Sequence, residues 1–407
     1  MRAATLEVNT AENNVLKSTV LVAGPTMVVL IPMAAAPAMP AMAAHFAGGG
    51  DGALFAQLVM TIPAVLLILV APLAGVLAEV IGRRAVMLLG FALFVLAGGA
   101  GLIVDSQWTL IVSRLLLGAA GGAIQTSSLS LVSDYPSGGP RERLLGFMVA
   151  GSSVMAVAAL TVGGHMVDLW GWRAPFLLYL AGIPAFFLAI FSVKSHLHSS
   201  SREHNLLAPI RVLWPVYLLA ALFTVGMFMP SIQGPFLLEQ RGIRSAEVQG
   251  SVAAACALIA AISAASYGFL VRYISPRSLL MITAALFGIG AIGMATLNGV
   301  IPIGGASAMM GIGAGLVEAT CATIIMARAP SEMRSRALGL LLGAIFFGQF
   351  LNPWLVAPLR SCFGIGGAFI AIGCFFIALA VVIACGAVLR EPRHGAEDRV
   401  PAATRRS

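Results

Sequence analysis

Residues 75–84 read Gly-Val-Leu-Ala-Glu-Val-Ile-Gly-Arg-Arg, wedged between two long apolar stretches. A glutamate, two arginines and two glycines have no place in a hydrophobic core. They fit a tight, charged turn between two helices that each cross a bilayer. Outward from this turn the chain stays apolar: 59% of its 407 residues are hydrophobic and only 10% are charged. A soluble domain carries about 25% charged residues, so most of this surface must face lipid.

A span needs about 20 mostly apolar residues. Twelve segments qualify. In the first half they are Ser18–Ala44, Ala53–Ala78, Ala85–Val104, Leu110–Val132, Leu144–Val167 and Ala174–Val193. In the second half they are Val212–Leu238, Val248–Val271, Ser278–Leu297, Ile303–Met326, Ala337–Leu359 and Ile365–Leu389. Prolines inside them, such as Pro37, Pro63 and Pro230, are tolerated because neighbouring helices re-satisfy the backbone. The Lys and Arg residues set the orientation. With the N-terminus in the cytoplasm, 19 of the 24 fall on the cytoplasmic side, Arg173, Arg241, Arg244 and Arg360 fall opposite, and Arg114 lies within a span. That asymmetry predicts cytoplasmic termini in an inner (plasma) membrane. It also accounts for the net charge of +8 without nucleic acid.

Four of the five cysteines lie in apolar segments, only Cys362 sits near a loop, and no metal-ligand spacing appears. No metal and no cofactor are expected. The Met1–Lys17 segment lacks a cleavable signal pattern, so the first span is expected to be retained. The polar interval with His196, His198 and His204 reads as a solvated linker. The expected organisation is a half over 1–195, a linker over 196–211 and a second half over 212–407. The halves are copies: a shift of 193 carries Gly75 to Gly268, Arg141 and Arg143 to Arg334 and Arg336, Pro37 to Pro230 and Gly118 to Gly311. One offset serving several motifs marks an internal repeat. The fold class is all-α membrane protein, with twelve helices in two pseudo-symmetric six-helix bundles.

The 75–84 turn resembles the signature G-x-L-a-D-r-x-G-r-k of the major facilitator superfamily. Gly75, Leu77, Ala78, Gly82, Arg83 and Arg84 match, while Glu79 stands where Asp is usual. Leu110, Arg114, Gly118 and Ala120 resemble the fourth-span pattern, and Trp172-Arg173-Ala174-Pro175-Phe176 resembles the opening of the sixth span in drug:proton antiporters. The fifth span departs from that branch. It keeps Gly163 and Gly164, but Ala159 and Leu160 stand where Gly-Pro is usual. The resemblance implies that spans one, four, seven and ten line a cavity. It also implies that the acid of the turn, Glu79, meets the start of the eleventh span, near Ala337 to Gly339, to help close the inner gate. Arg83 and Arg84 are then expected on carboxylates or lipid phosphates.

Charge inside hydrocarbon costs about 2.5–3.5 kcal/mol and usually faces the bundle interior. Arg114 and Glu318 are the two such residues. Arg114, Gly118, Gly121, Gln125 and Ser128 form one helical stripe, and Ser307, Gly311, Ala314, Glu318 and Cys321 form its counterpart at the same offset. Glu318 is expected to bind a coupling proton or a cationic substrate group, against the plainer reading of a helix-bridging carboxylate. Arg114 is expected either to attract an anion or to bond backbone carbonyls of the first span. Gln125, Gln233, Gln349 and Asn352 are further candidates for substrate contact, with helix-bridging amides as the alternative. The resulting expectation is a non-enzymatic, monomeric transporter in lipid that exports a small amphipathic molecule against protons by alternating access. A proton symporter that imports an organic solute, with Arg114 on its acid group, is the alternative. A non-transporting receptor or enzyme is the third class.

Overall fold

The computed structural model describes residues 2–49, 51–133, 135–136, 139–192, 208–330 and 333–385. Most of the expected linker, with His196, His198 and His204, lies outside the described residues. Among the described residues the secondary structure is helical throughout. Ten helical segments, from Val15–His45 to Val300–Arg328, are each long and apolar enough to cross a bilayer, and an eleventh runs over Arg336–Ala384. This last one holds the final two expected spans. Its parent helix Arg334–Ala384 has 51 residues and breaks at Gly364, where φ is 70° and ψ 173°. At about 1.5 Å per residue it would otherwise run roughly 75 Å, against about 30 Å of hydrocarbon. Glycine takes this left-handed backbone without a Cβ penalty, so the chain reverses there and twelve spans result.

The repeat is built into the packing. The fourth span, Gln107–Val132, crosses the second, Gly52–Ile81, on Gly118 and Gly122. A Cβ on Gly118 would sit 1.9 Å from the Pro63 carbonyl oxygen, and one on Gly122 3.0 Å from that of Leu67. The tenth span crosses the eighth, Ala246–Leu270, in the same way. There a Cβ on Gly311 would lie 2.4 Å from the Cys256 oxygen and one on Gly315 2.1 Å from that of Ala260. All four positions, and the backbone atoms they meet, correspond at the 193 offset. Small residues let helices in lipid approach closely enough for dispersion to hold them.

The charged turn follows the same rule. Arg84 donates to the Ile190 carbonyl at 2.7 Å, at the end of the sixth span. Its counterpart Arg277 donates to Ile383 and Ala384 at the end of the twelfth. Arg83 donates to Ser130 near the end of the fourth span. These cations meet orphan carbonyls and negative dipole ends of helices, and among the described residues Arg84 pairs with no carboxylate. The two turns differ at the helix start. Gly82 has φ 90°, a conformation open to glycine. Ser275, in its place, has φ −65° and caps its helix by accepting from the Ser278 amide.

Prolines interrupt the first and seventh spans at equivalent points. The first passes through a 3₁₀ turn at Ala36–Ala38 around Pro37, and the seventh through a π turn at Met229–Gln233 around Pro230. Proline lacks the N–H that would continue the ladder.

Beside a small cluster of Ala74, Ala78 and Val86, buried side chains gather in two large ones. One draws on the first six spans plus Phe228, Ile232, Ala246, Ala253 and Ala254; the other draws on spans seven to twelve. Met227 and Phe236 pack against both. We call the membrane face bearing Arg83, Arg84 and Arg277 the basic end, and the opposite face the far end. Contact between the clusters is concentrated at the far end. A Cβ on Gly164 would lie 2.5 Å from the Ala246 oxygen, and one on Gly250 2.2 Å from that of Leu160. In the fifth span Ala159, Leu160, Gly163 and Gly164 are buried, whereas Gly146, Phe147, Val149 and Ala150, nearer the basic end, are exposed. The eighth span is buried at most positions from Ala246 to Cys256, and beyond them only at Ser263. The two clusters therefore touch at the far end and part at the basic end.

Candidate functional site

Glu318 lies ten residues before the end of the tenth span at Arg328, about 15 Å along the helix. On its own face Ser307, Gly311, Ala314, Cys321 and Ile325 are all buried, yet Glu318 is exposed. An exposed side chain on an otherwise buried stripe opens into a space between helices rather than onto lipid. Among the described residues no hydrogen bond or ion pair reaches it, so the plainer reading of a helix-bridging carboxylate has no partner to support it. Gln125, its counterpart, is half-buried and also lacks a hydrogen-bond partner, on a stripe where Gly118, Gly121 and Ser128 are buried.

Arg114 turns the other way. It is 0% exposed. Its Nη2 donates to the Ala97 and Gly98 carbonyls at 2.8 and 2.9 Å, and its guanidinium lies 4.9 Å from the Phe176 ring and 5.3 Å from that of Tyr179. The carbonyls belong to the third span, Arg83–Leu102, and not to the first as expected. The first span is instead held by Tyr179, whose hydroxyl donates to the Ile31 carbonyl at 3.0 Å. Arg114 thus ties spans three, four and six together. Lysine has neither the planar fork nor the stacking face for this. Arg114→Lys is expected to lower the apparent melting temperature of the purified protein by about 3–10 °C, from roughly 1.5–3 kcal/mol of lost charged hydrogen bonding. Ligand affinity should stay unchanged, which a binding isotherm checks. Weakened binding at unchanged stability would place Arg114 on cargo instead.

Gln233 and Asn352 are brought together with a residue the sequence reading passed over. Gln57, in the second span, donates to Gln233 Oε1 at 2.9 Å; Gln233 donates to Asn352 Oδ1 at 3.0 Å; and Asn352 donates to the Val225 carbonyl at 2.8 Å. All three amides are 0% exposed. A buried amide needs such partners, and these link spans two, seven and eleven. Gln57 was visible as an amide in an otherwise apolar span. Gln349 stands apart from this chain: it is buried and has no hydrogen-bond partner among the described residues.

Glu79 is exposed and unpartnered among the described residues, and a Cβ on Gly339 would meet nothing within 4 Å. The contact expected between the turn's acid and the eleventh span is therefore not made in this conformation, because the spans have parted at that end. Gly75 packs loosely, with Thr126 3.9 Å from an added Cβ. At the far end Arg173 pairs with Asp105 and lies over Trp172, His45 Nε2 stands 3.7 Å from Asp105, and Arg360 meets Asp51 at 2.6 Å. Among the described residues no group of three His, Cys, Asp or Glu side chains is placed to hold a metal.

Comparison with known proteins fits this geometry. The chain is 37% identical over 166 residues to a methylenomycin A resistance protein of Streptomyces coelicolor, and 30% identical over 171 residues to the multidrug resistance protein Stp of Mycobacterium tuberculosis. These matches cover 40% and 42% of the chain, and the chain spans 33% and 31% of those relatives' own length. A longer match, 24% identical over 83% of the chain and 86% of the relative, is to the multi-drug resistance efflux pump PmrA of Streptococcus pneumoniae. Among solved structures, an inward-facing, occupied bacterial homologue of the human lysosomal transporter Spinster superposes with a TM-score of 0.75 at 18% identity, covering 91% of this chain and 96% of that one. The profile of the Major Facilitator Superfamily matches residues 26–306 and 216–406. With its twelve spans, its 193-residue repeat and its charged turn, the chain belongs to the Major Facilitator Superfamily.

Proposed function

We propose that this chain is a secondary transporter that exports small amphipathic molecules in exchange for protons, by rocking two halves, 1–195 and 212–407, about a central cavity. Lys and Arg gather at the basic end, which by the positive-inside rule is cytoplasmic. In that orientation the conformation described above is open to the cytoplasm and closed to the outside. The observation that carries the proposal is Glu318: an exposed, unpartnered carboxylate on an otherwise buried stripe of a membrane helix. Such a group takes up and releases a proton or a cationic cargo without first breaking an internal ion pair. The relatives named for resistance and efflux support the export direction. The symport alternative loses its main support, because Arg114 is fully buried, with Nη2 on two carbonyls and the guanidinium against aromatic rings.

Everted membrane vesicles test the proposal. A panel of amphipathic cations and neutral drugs is offered to vesicles carrying an imposed proton gradient. Uptake of at least one solute that dissipates the gradient, and that an uncoupler stops, is the expected result. Flux in the opposite sense would favour symport, and no flux for any solute would favour the non-transporting class.

A further inference from the structure

We infer that Asp168 is the outer gate's latch: its carboxylate caps the first turn of the eighth span and holds the two halves together at the outer face. Asp168 lies in the last turn of the fifth span, Pro140–Trp170, and its target begins the eighth, Ala246–Leu270. Asp168 Oδ1 accepts from the Ala246 amide at 2.8 Å. Its Oδ2 accepts from the Ser245 hydroxyl at 2.6 Å and from the Glu247 amide at 3.1 Å. Ser245 Oγ in turn accepts from the Val248 amide at 3.3 Å. The first amides of a helix have no partner within it and carry the positive end of its dipole. Here a carboxylate from the other half supplies two of those partners directly and orients the serine that supplies a third. Charge-assisted hydrogen bonds of this kind are stronger than neutral ones.

The contact is also built to release. Asp168, Ser245 and Glu247 lie at the protein's edge, where water can take over each donor. One turn earlier His165 Nδ1 meets Glu247 Oε2 at 3.1 Å, and both side chains are exposed. Just inside, the glycine crossing of Gly164 and Gly250 fixes the distance between the two backbones. Swinging the fifth span away from the eighth must break all three bonds of Asp168 at once, so their formation biases the equilibrium between the two facing states. The 193 offset carries Asp168 to Ser361 and Ser245 to Gly52, so this helix-capping contact is not repeated at the other seam, where Arg360 and Asp51 join the halves at 2.6 Å instead.

The inference rests on the alternating-access reading but not on export, protons or Glu318. Electron–electron resonance distances in the full-length protein test it, after the five native cysteines are replaced by alanine or serine. One spin-label pair sits at Trp108 and Ile301, strongly exposed at the outer starts of the fourth and tenth spans; another sits at Val80 and Tyr273, strongly exposed at the cytoplasmic turns. Asp168→Ala is expected to lengthen the outer distance and shorten the inner one together, as the outward-facing fraction rises about tenfold. Asp168→Asn, which keeps one acceptor oxygen without the charge, should shift both distances less. Unmoved distances in both variants would overturn the inference. Outer lengthening without inner shortening would overturn it too, since that marks fraying of a helix start. If Asp168→Ala does not fold, the Asp168→Asn distances alone decide. Because no substrate or proton gradient is applied, failure of the latch shows as unmoved distances, and failure of the export reading shows as missing proton-coupled flux.

Discussion

Proton-driven transport should fall to the level of membranes lacking the protein when Glu318 is replaced by Gln. The substitution keeps the shape of the side chain and removes only its ability to change charge. Because Glu318 is exposed and has no partner among the described residues, no bond is lost with it, and stability should move by no more than about 0.5 kcal/mol. Counterflow, in which labelled substrate exchanges for unlabelled without net proton movement, should persist if Glu318 carries the proton alone. If Glu318 binds a cationic cargo directly, counterflow should fall as well, so the paired assays separate the two roles. Full proton-driven activity in this variant would remove Glu318 from the mechanism.

Gly118→Val should cost the protein its folded yield. A Cβ at this position would lie 1.9 Å from the oxygen, 2.7 Å from the carbonyl carbon and 2.8 Å from the Cα of Pro63. These are backbone atoms of a facing helix, so no rotamer change relieves the clash and the second and fourth spans must separate. Overpacking costs about 1–3 kcal/mol where side chains can yield, and here the backbone itself must move. Gly311→Val should behave alike, because it meets Cys256 at the equivalent crossing. Gly146→Val is the control, since a Cβ there meets nothing within 4 Å. Monodisperse yield and apparent melting temperature in detergent measure all three. Variants at 118 and 311 that melt with the parent would show that the crossing is looser than its geometry.

Much of the architecture was legible because the relevant signals are local. Runs of about 20 apolar residues, the clustering of Lys and Arg, and the turn at Gly75 to Arg84 each occupy one stretch of chain. The 193 offset went further: it paired Gly118 with Gly311, whose crossings match in the structure. What it relates, however, are like positions, and contacts join unlike ones. Arg114 reads as a charge in a membrane helix; only the crossing angles of spans three, four and six reveal that carbonyls and rings enclose it. Gln57 and Gln233 are 176 residues apart, and Asp168 and Ser245 are 77 apart. Neither separation equals the repeat, so neither pair announces itself in the sequence. Glu79 was read as a gate residue, but among the described residues it is exposed and has no partner.

The paired glycine crossings and arginine clamps have a mechanical consequence. Both occur in each half, at corresponding atoms, and both bind neighbours within that half. Each six-helix unit is therefore braced like a girder, and compliance is left to the seam between the two. In the rocking motion proposed above, displacement at one membrane face would then be transmitted to the other without being absorbed by bending along the way. A mutation that loosens a brace would leave the seam intact and still blunt the stroke.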